Sequence, residues 1–316
     1  MKRRQDFRKS FGGVGLLSAV IVVLPLIWNS NYMLRTCALV WIMALSAVGL
    51  HIVMGLAGQI SLGHAGFFGV GAYATAVLPV QFGIPPLGAA LVGILASAVI
   101  AWLVGTPILR LKGHYLAIAT LGFSLLVGLI ITSEVGWTGG PDGMDVQRPQ
   151  FGDWTVSSAI AWYWISGVLL VIGIALAIVL RDSPTGRALR GILDSEVAVS
   201  SLGVDVAQRK RQAFVVAAVY AAVAGSVLAF MNGFITPDVA GFMNSVEFVA
   251  MVVIGGVTTP FGALVGAALL TLLPQLLASF HDYEDVAVGL IIMISMMTLR
   301  QGIVPAIGRR LSGSAR

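Results

Sequence analysis

The chain has 316 residues, of which 58% are hydrophobic and only 10% charged, and its mean hydropathy is +0.94. A water-soluble globule of that length needs more polar residues to cover its surface, so the composition excludes a soluble enzyme or scaffold and requires a bilayer. The net charge of +5 comes from basic residues scattered over short loops, which argues against a nucleic-acid surface and for helix orientation in a membrane.

The chain opens with "MKRRQDFRKS" and an apolar run to Trp28. No small-x-small cleavage site follows in "VLPLIWNSN", so this reads as an uncleaved first membrane helix rather than a leader. A spanning helix needs roughly 20 apolar residues. Apolar runs between turn signals place candidate spans near 12–28, 33–54, 64–80, 87–108, 114–133, 158–180, 213–233, 247–257, 262–279 and 286–299. The expected fold is therefore all-α, a polytopic helical membrane protein of about ten transmembrane segments forming one permease-like domain over 1–316. The lone cysteine, Cys37, forms no internal disulfide and reads as a small buried hydrophobe.

Between the second and third spans lies "GLAGQISLGHAGFFGVGAYATAVL", residues 55–78. Gly63, Gly66 and Gly69 recur every three residues on one helical arc, a spacing that lets a neighbouring backbone approach closely. Gln59, Ser61 and His64 come at a break before the smooth helix, where free backbone groups serve a polar solute if they line a cavity. These three are the candidate border of a translocation path.

"PPLGAALVG" (85–93) and "TPFGALVGA" (259–267) lead into the fourth and ninth spans, five helices apart and opposite in direction. The echo fits a five-plus-five inverted repeat, and equally fits coincidence, because Pro and Gly are common in membrane helices.

Two loops are long. The 134–157 loop carries "WTGGPDGMD", whose Gly, Pro and Asp make turns rather than helix. The 181–211 loop carries "RALRGILDSEVAVSSLG", read as one short amphipathic helix with Ala188, Ile192, Val199 and Leu202 as its apolar stripe, started by Ser183–Gly186 and stopped by Gly203. Such a helix suits a cleft on a partner protein, and equally suits a bed among lipid headgroups.

With the amino terminus in the cytoplasm, only Arg35 and Arg148 of the 19 Lys and Arg fall outside, while Glu134, Asp142, Asp145, Asp153, Asp238, Glu247, Asp282, Glu284 and Asp285 all do. This positive-inside pattern favours an even number of spans with both termini cytoplasmic.

No span carries an acidic residue at mid-depth, Glu134 and Glu247 being placed at helix ends, which counts against a proton-driven carrier. His51, His64 and His114 have no spacing for a metal, and no phosphate-binding loop, nucleophile signature or catalytic set is found. The expectations are no catalytic residue, no metal and no cofactor on this chain. A lipid-modifying enzyme would need Asp142, Asp145 and His114 on one face, and they are expected on different sides.

Five blocks carry a family likeness: residues 55–78 above, "LKGHYLAIATLGFSLLV" (111–127), "TGGPDGM" (138–144), 186–229, and "VEFVAMVVIGGVTTPFGALVGA" (246–267). In this order they resemble the LivM-type permease subunit of branched-chain amino acid ABC importers, over about residues 40 to 300. The resemblance implies a homologous second permease, two cytoplasmic ATPase subunits that bind ATP, a periplasmic solute-binding protein, and a place among the lipids of a bacterial inner membrane. It assigns Arg187, Arg190, Asp194, Glu196 and Gly203 to ATPase coupling, and Thr138, Gly139, Gly140 and Asp142 to contact with the binding protein. Two departures stand out: Leu193 replaces an Arg common in the family, and Val257 and Thr258 follow the Gly255–Gly256 pair in place of a further glycine. Related importers carry urea, short amides or aromatic acids, so branched-chain and other apolar amino acids are the expected but not the exclusive solute class.

Overall fold

A computed structural model describes the backbone of residues 2–27, 30–151, 154–277, 289, 293 and 302–306, and their side chains except at 2–11, 151, 154, 155, 276 and 277. The order is α1 (Lys2–Ile27), α2 (Asn31–His51) running into a π-helical turn (Ile52–Leu56), α3 (His64–Phe82), α4 (Pro86–Ile108) and α5 (His114–Ser133). Next come α6 (Val135–Thr138), β1 (Met144–Asp145), β2 (Gln150–Phe151), β3 (Trp154–Thr155) and α7 (Ala159–Asp182). The chain continues with α8 (Pro184–Asp194), α9 (Glu196–Ser201), α10 (Val206–Asn232), β4 (Phe234–Ile235), a 3-10 turn (Pro237–Ala240), α11 (Phe242–Gly255) and α12 (Pro260–Leu277).

Among the described residues six helices are long and apolar enough to cross a membrane: α2 with its π-helical turn, α3, α4, α5, α7 and α10. The pair α11 and α12, bent by 120°, makes up to a seventh. This is a polytopic all-α membrane protein. The expected span at 286–299 lies outside the described residues, apart from positions 289 and 293. Helix α11 begins ahead of the expected 247, which moves Glu247 from a helix end into the second turn, where it is half-buried.

Helix starts follow from local chemistry. Pro86 and Pro260 occupy first-turn positions of α4 and α12, where a missing N–H costs nothing. Ser158 and Asp205 cap α7 and α10, accepting from the backbone N–H of Ala161 (3.3 Å) and Gln208 (3.0 Å).

Helices α2, α3 and α10 form the centre. At their crossing, Gly71 lies on the backbone of Ala222 and Gly225 on the backbone of Phe68, too close for any side chain. The Ser226 hydroxyl bonds Gly71 O (3.0 Å) and Ala222 O (2.9 Å) at the same point. Small residues and an interhelical hydroxyl are what hold helices together where lipid removes the hydrophobic incentive. By contrast α4 and α5 are each only 28% enclosed and present Leu91, Leu95, Leu103, Leu125 and Leu129 outward.

The 181–211 loop departs from expectation. Instead of one amphipathic helix there are two, α8 and α9, broken at Ser195, whose extended backbone and hydroxyl, accepting from Ala198 N (3.3 Å), restart the helix. The apolar stripe is therefore reset: Leu189, Ile192 and Val199 face inward, Ala188 is half-buried, and Leu202, expected in the stripe, is 81% exposed. Ser183 does cap α8, accepting from Gly186 N (3.1 Å).

Candidate functional site

The residues singled out in sequence fall in three places. The first is the break between α2 and α3. After the π-helical turn, Gly58 takes a left-handed conformation (φ +65) and the chain runs non-helically to His64. The turn packs on α8, and the space a Cβ would need at Gly58 is filled by the Leu193 side chain. Two separate constraints, conformation and contact, thus demand glycine here.

Gln59, Ser61 and His64 are all buried, at 5%, 3% and 3% exposure. His64 Nε2 bonds Ser46 O (2.9 Å) and its ring stands edge-on to Phe248 at 5.7 Å. Neither side-chain polar atom of Gln59 has a hydrogen-bond partner among the described residues. A buried carboxamide without partners costs about 1–3 kcal/mol.

The start of α3 is itself interior, and side chains from two other helices accept from one N–H just before it and one in its first turn. Thr120 Oγ1 on α5 accepts from Leu62 N (3.0 Å), and Ser245 Oγ on α11 accepts from Ala65 N (3.4 Å). Ser124, one turn beyond Thr120, bonds Ser245 Oγ (3.2 Å) and donates to Ala240 O (3.1 Å). Gly63 and Gly66 face this seam: a Cβ would come 2.6 Å from Thr120 O at Gly63, and 2.9 Å from the Phe123 ring at Gly66. Gly69 faces Ala240 of the 3-10 turn. The hydroxyls Thr120, Ser124 and Ser245 were missed in the sequence, although a Thr and a Ser four apart in an oily helix is a readable signal of an interhelical seam.

The second place is the 181–211 loop. Leu193, Val197 and Leu202 are 52%, 81% and 81% exposed and form an apolar rim, with Asp194 exposed beside them. Arg187 is exposed and donates to Asp182 O (2.7 Å); Arg190 is half-buried and donates to Arg181 O (3.2 Å). Gly203 ends α9 region at φ +80, in open space, so its backbone and not its surroundings requires glycine. Glu196 differs from the rest. It bonds Lys210 on α10 through Oε1, and its Oε2 lies 3.5 Å from Lys112 in the α4–α5 connection. The Lys210 bond, opposed by partial burial and helped by the Lys112 charge, holds the Glu196 carboxyl below its usual range. Both lysines were missed as site residues; only their basic surroundings, "LRLKGH" and "QRKRQ", were legible.

The third place lies at the opposite end of α5 and α10. Thr138 is buried, its hydroxyl donating to Glu134 O (2.9 Å) and accepting from Gly140 N (3.2 Å). Gly139 and Gly140 are the turn itself, while Pro141 and Asp142 are exposed. Beyond them β1 pairs antiparallel with β4, Met144 opposite Ile235, so the 134–157 loop is strapped to the α10–α11 connection. Sequence gave no sign of this pairing, because two-residue strands carry no periodicity.

Residues 32–297 match the family model described as "Branched-chain amino acid transport system / permease component". The chain is 30% identical to the high-affinity branched-chain amino acid transport system permease protein LivM of Escherichia coli (strain K12), over 92% of this chain and 75% of the relative. It is 27% identical to LivH, the permease of the same named system in that organism, over 83% and 90%. The autoinducer 2 import system permease protein LsrC of Photorhabdus laumondii is 29% identical over 57% and 51%. No solved structure matches. With most of its length inside the family model, the chain belongs to the permease components of branched-chain amino acid transport systems, a family of transport proteins and not of enzymes.

Proposed function

We propose that the chain is the M-type transmembrane subunit of an ABC importer for branched-chain or related apolar amino acids in a bacterial inner membrane. It pairs with a homologous second permease, takes solute from a periplasmic binding protein, and is driven by two cytoplasmic ATPases. Both termini are cytoplasmic, the placement that the basic loops favour, and ten spans in a five-plus-five inverted repeat agree with the proline entries of α4 and α12.

The observation that carries this reading is the 181–211 segment: a capped pair of helices with its apolar rim of Leu193, Val197 and Leu202 turned outward, on a chain whose sequence holds no ATP-binding loop. The segment of Arg187, Arg190, Asp194, Glu196 and Gly203 seats in the ATPase by helix-in-groove docking. At the far end, exposed Pro141 and Asp142 meet the binding protein, while Thr138, Gly139 and Gly140 shape the turn that presents them. Between the two ends, ATP-driven rocking of the paired permeases opens the break at 57–63 to each side in turn, exposing Gln59, Ser61 and His64 to solute; Gly63, Gly66 and Gly69 keep the helices close enough for the break to reseal.

Solute varies among similar chains, as the relative named for autoinducer 2 import shows, and urea, short amides or aromatic acids are the alternative solute classes.

The test is reconstitution of this chain with a LivH-like permease, two ATPases and a binding protein in liposomes. Leucine-loaded binding protein should stimulate ATP hydrolysis and uptake, and Gly203→Pro should insert normally yet uncouple the two. Uptake by this chain alone would overturn the reading. Cysteines at 59, 61 and 64 should react with small thiol reagents in at least one transport state; silence in every state would remove them from the path.

A further inference from the structure

Glu196 is the first residue of α9, and nothing about its place in a docking segment requires it to touch the rest of this chain. It nevertheless makes both of the ion pairs formed among the described residues. One partner, Lys210, sits in the second turn of α10 with a side chain only 6% exposed. An ammonium that far from water needs a carboxylate, and Glu196 is the one it has among the described residues. The other partner, Lys112, is 79% exposed and precedes α5 by two residues.

Helix α5 lies at the periphery. It barely touches α4, is only 28% enclosed, and takes its position from α3, from the 3-10 turn at Pro237–Ala240, from α11 and from whatever fixes its ends. One of those ends carries Lys112. A turn and a half into α5, Thr120 holds Leu62 N, and Ser124 holds the Ser245 hydroxyl. A displacement of α9 passed through Lys112 therefore arrives at the buried break that contains Gln59 and Ser61.

We propose that Glu196 is a positioning residue that fastens the docking segment to α10 through Lys210 and to α5 through Lys112, so that α5 carries the movement of α8 and α9 to the 57–63 break. The buried Lys210 bond is the fixed anchor, and the exposed Lys112 pair is the link that transmits. The proposal rests on the reading of 181–211 as the ATPase-docking segment, and it moves Glu196 from the docking face to the linkage behind it.

The experiment has two arms. In the first, spin labels at Leu111 and Ser201 are placed on the full-length chain alone, with Cys37 replaced by Ala, in lipid nanodiscs. The parent should give one narrow distance distribution. Glu196→Gln and Lys112→Met should broaden it, and the triple reversal K112E/E196K/K210E, which restores both pairs with their signs exchanged, should narrow it. A distribution that stays narrow in Glu196→Gln overturns the linkage. In the second arm, the assembled transporter is given leucine and its binding protein. Uptake per ATP hydrolysed should fall about tenfold in Glu196→Gln, the size of one charge-assisted hydrogen bond, and about two- to fivefold in Lys112→Met, the size of an exposed ion pair, and recover in K112E/E196K/K210E. Unchanged coupling in both single variants overturns the transmission. An unsubstituted transporter that shows no leucine-stimulated hydrolysis would fail the functional reading alone, since the first arm decides the linkage without it.

Discussion

At the scale of single residues, glycines divide by what surrounds them. Gly225 has the Phe68 backbone where a side chain would go, whereas Gly122 on α5 has nothing within 4 Å. Gly225→Val should therefore cost about 3 kcal/mol or more and yield little monodisperse protein, while Gly122→Ala should gain up to about 1 kcal/mol from helix propensity. Size-exclusion profiles and thermal unfolding in detergent check the pair. Gly58 combines both kinds of constraint: Gly58→Ala should lose about 1–2 kcal/mol to its left-handed backbone and about 1–3 kcal/mol to the clash with Leu193. Leu193→Ala in that background should return only the second part. Which glycines matter was partly legible, since the three-residue spacing of Gly63, Gly66 and Gly69 stood out in sequence. The partners were not, because a spacing gives the face of a helix and not what lies against it. Leu193, noted only as a departure from the family's Arg, turns out to fill the one space left by Gly58.

At the scale of elements, the sequence located the 181–211 segment and its start at Ser183 but not its division. The residues from Arg187 to Gly203 satisfy a helical pattern well enough that Ser195, a modest cap, is invisible until its backbone is seen extended. A six-residue helix cannot stand by propensity, so α9 depends on this cap and on Glu196. Ser195→Ala should cost about 1 kcal/mol locally and speed amide exchange across 196–201 while leaving α10 protected. Acid should act on the same element. Because Lys210 and Lys112 hold the Glu196 carboxyl low, the pair's contribution is fully present above the unfolded glutamate value of about 4.3 and is lost as pH falls through the lower folded value. The difference in melting temperature between the parent and Glu196→Gln should be constant near neutral pH and shrink only at acid pH; a difference that shrinks between pH 8 and 6 would contradict this.

At the scale of the whole molecule, hydropathy located every spanning helix among the described residues, within a few positions except at the start of α10, which lies seven residues ahead of the expected 213, because apolar length in a bilayer admits few alternatives. It missed what ties those helices to each other: the Ser124–Ser245 seam, the Glu196 linkage and the β1–β4 strap all join segments far apart in sequence. Joins of that kind also impose an order in time. The interior start of α3 depends on hydroxyls that the ribosome has not yet made when α3 enters the membrane: Thr120 lies 58 residues downstream of Leu62, and Ser245 lies 180 residues downstream of Ala65. At a synthesis rate of about 5–20 residues per second, the second of these bonds waits roughly 10–35 seconds. Until then the Ala65 N–H has another partner, so that amide should exchange faster in a chain that ends before Ser245 than in one that ends just after α11, which hydrogen exchange on the two truncated chains checks. The join at the start of α3 is thus among the last parts of the fold that synthesis allows to close.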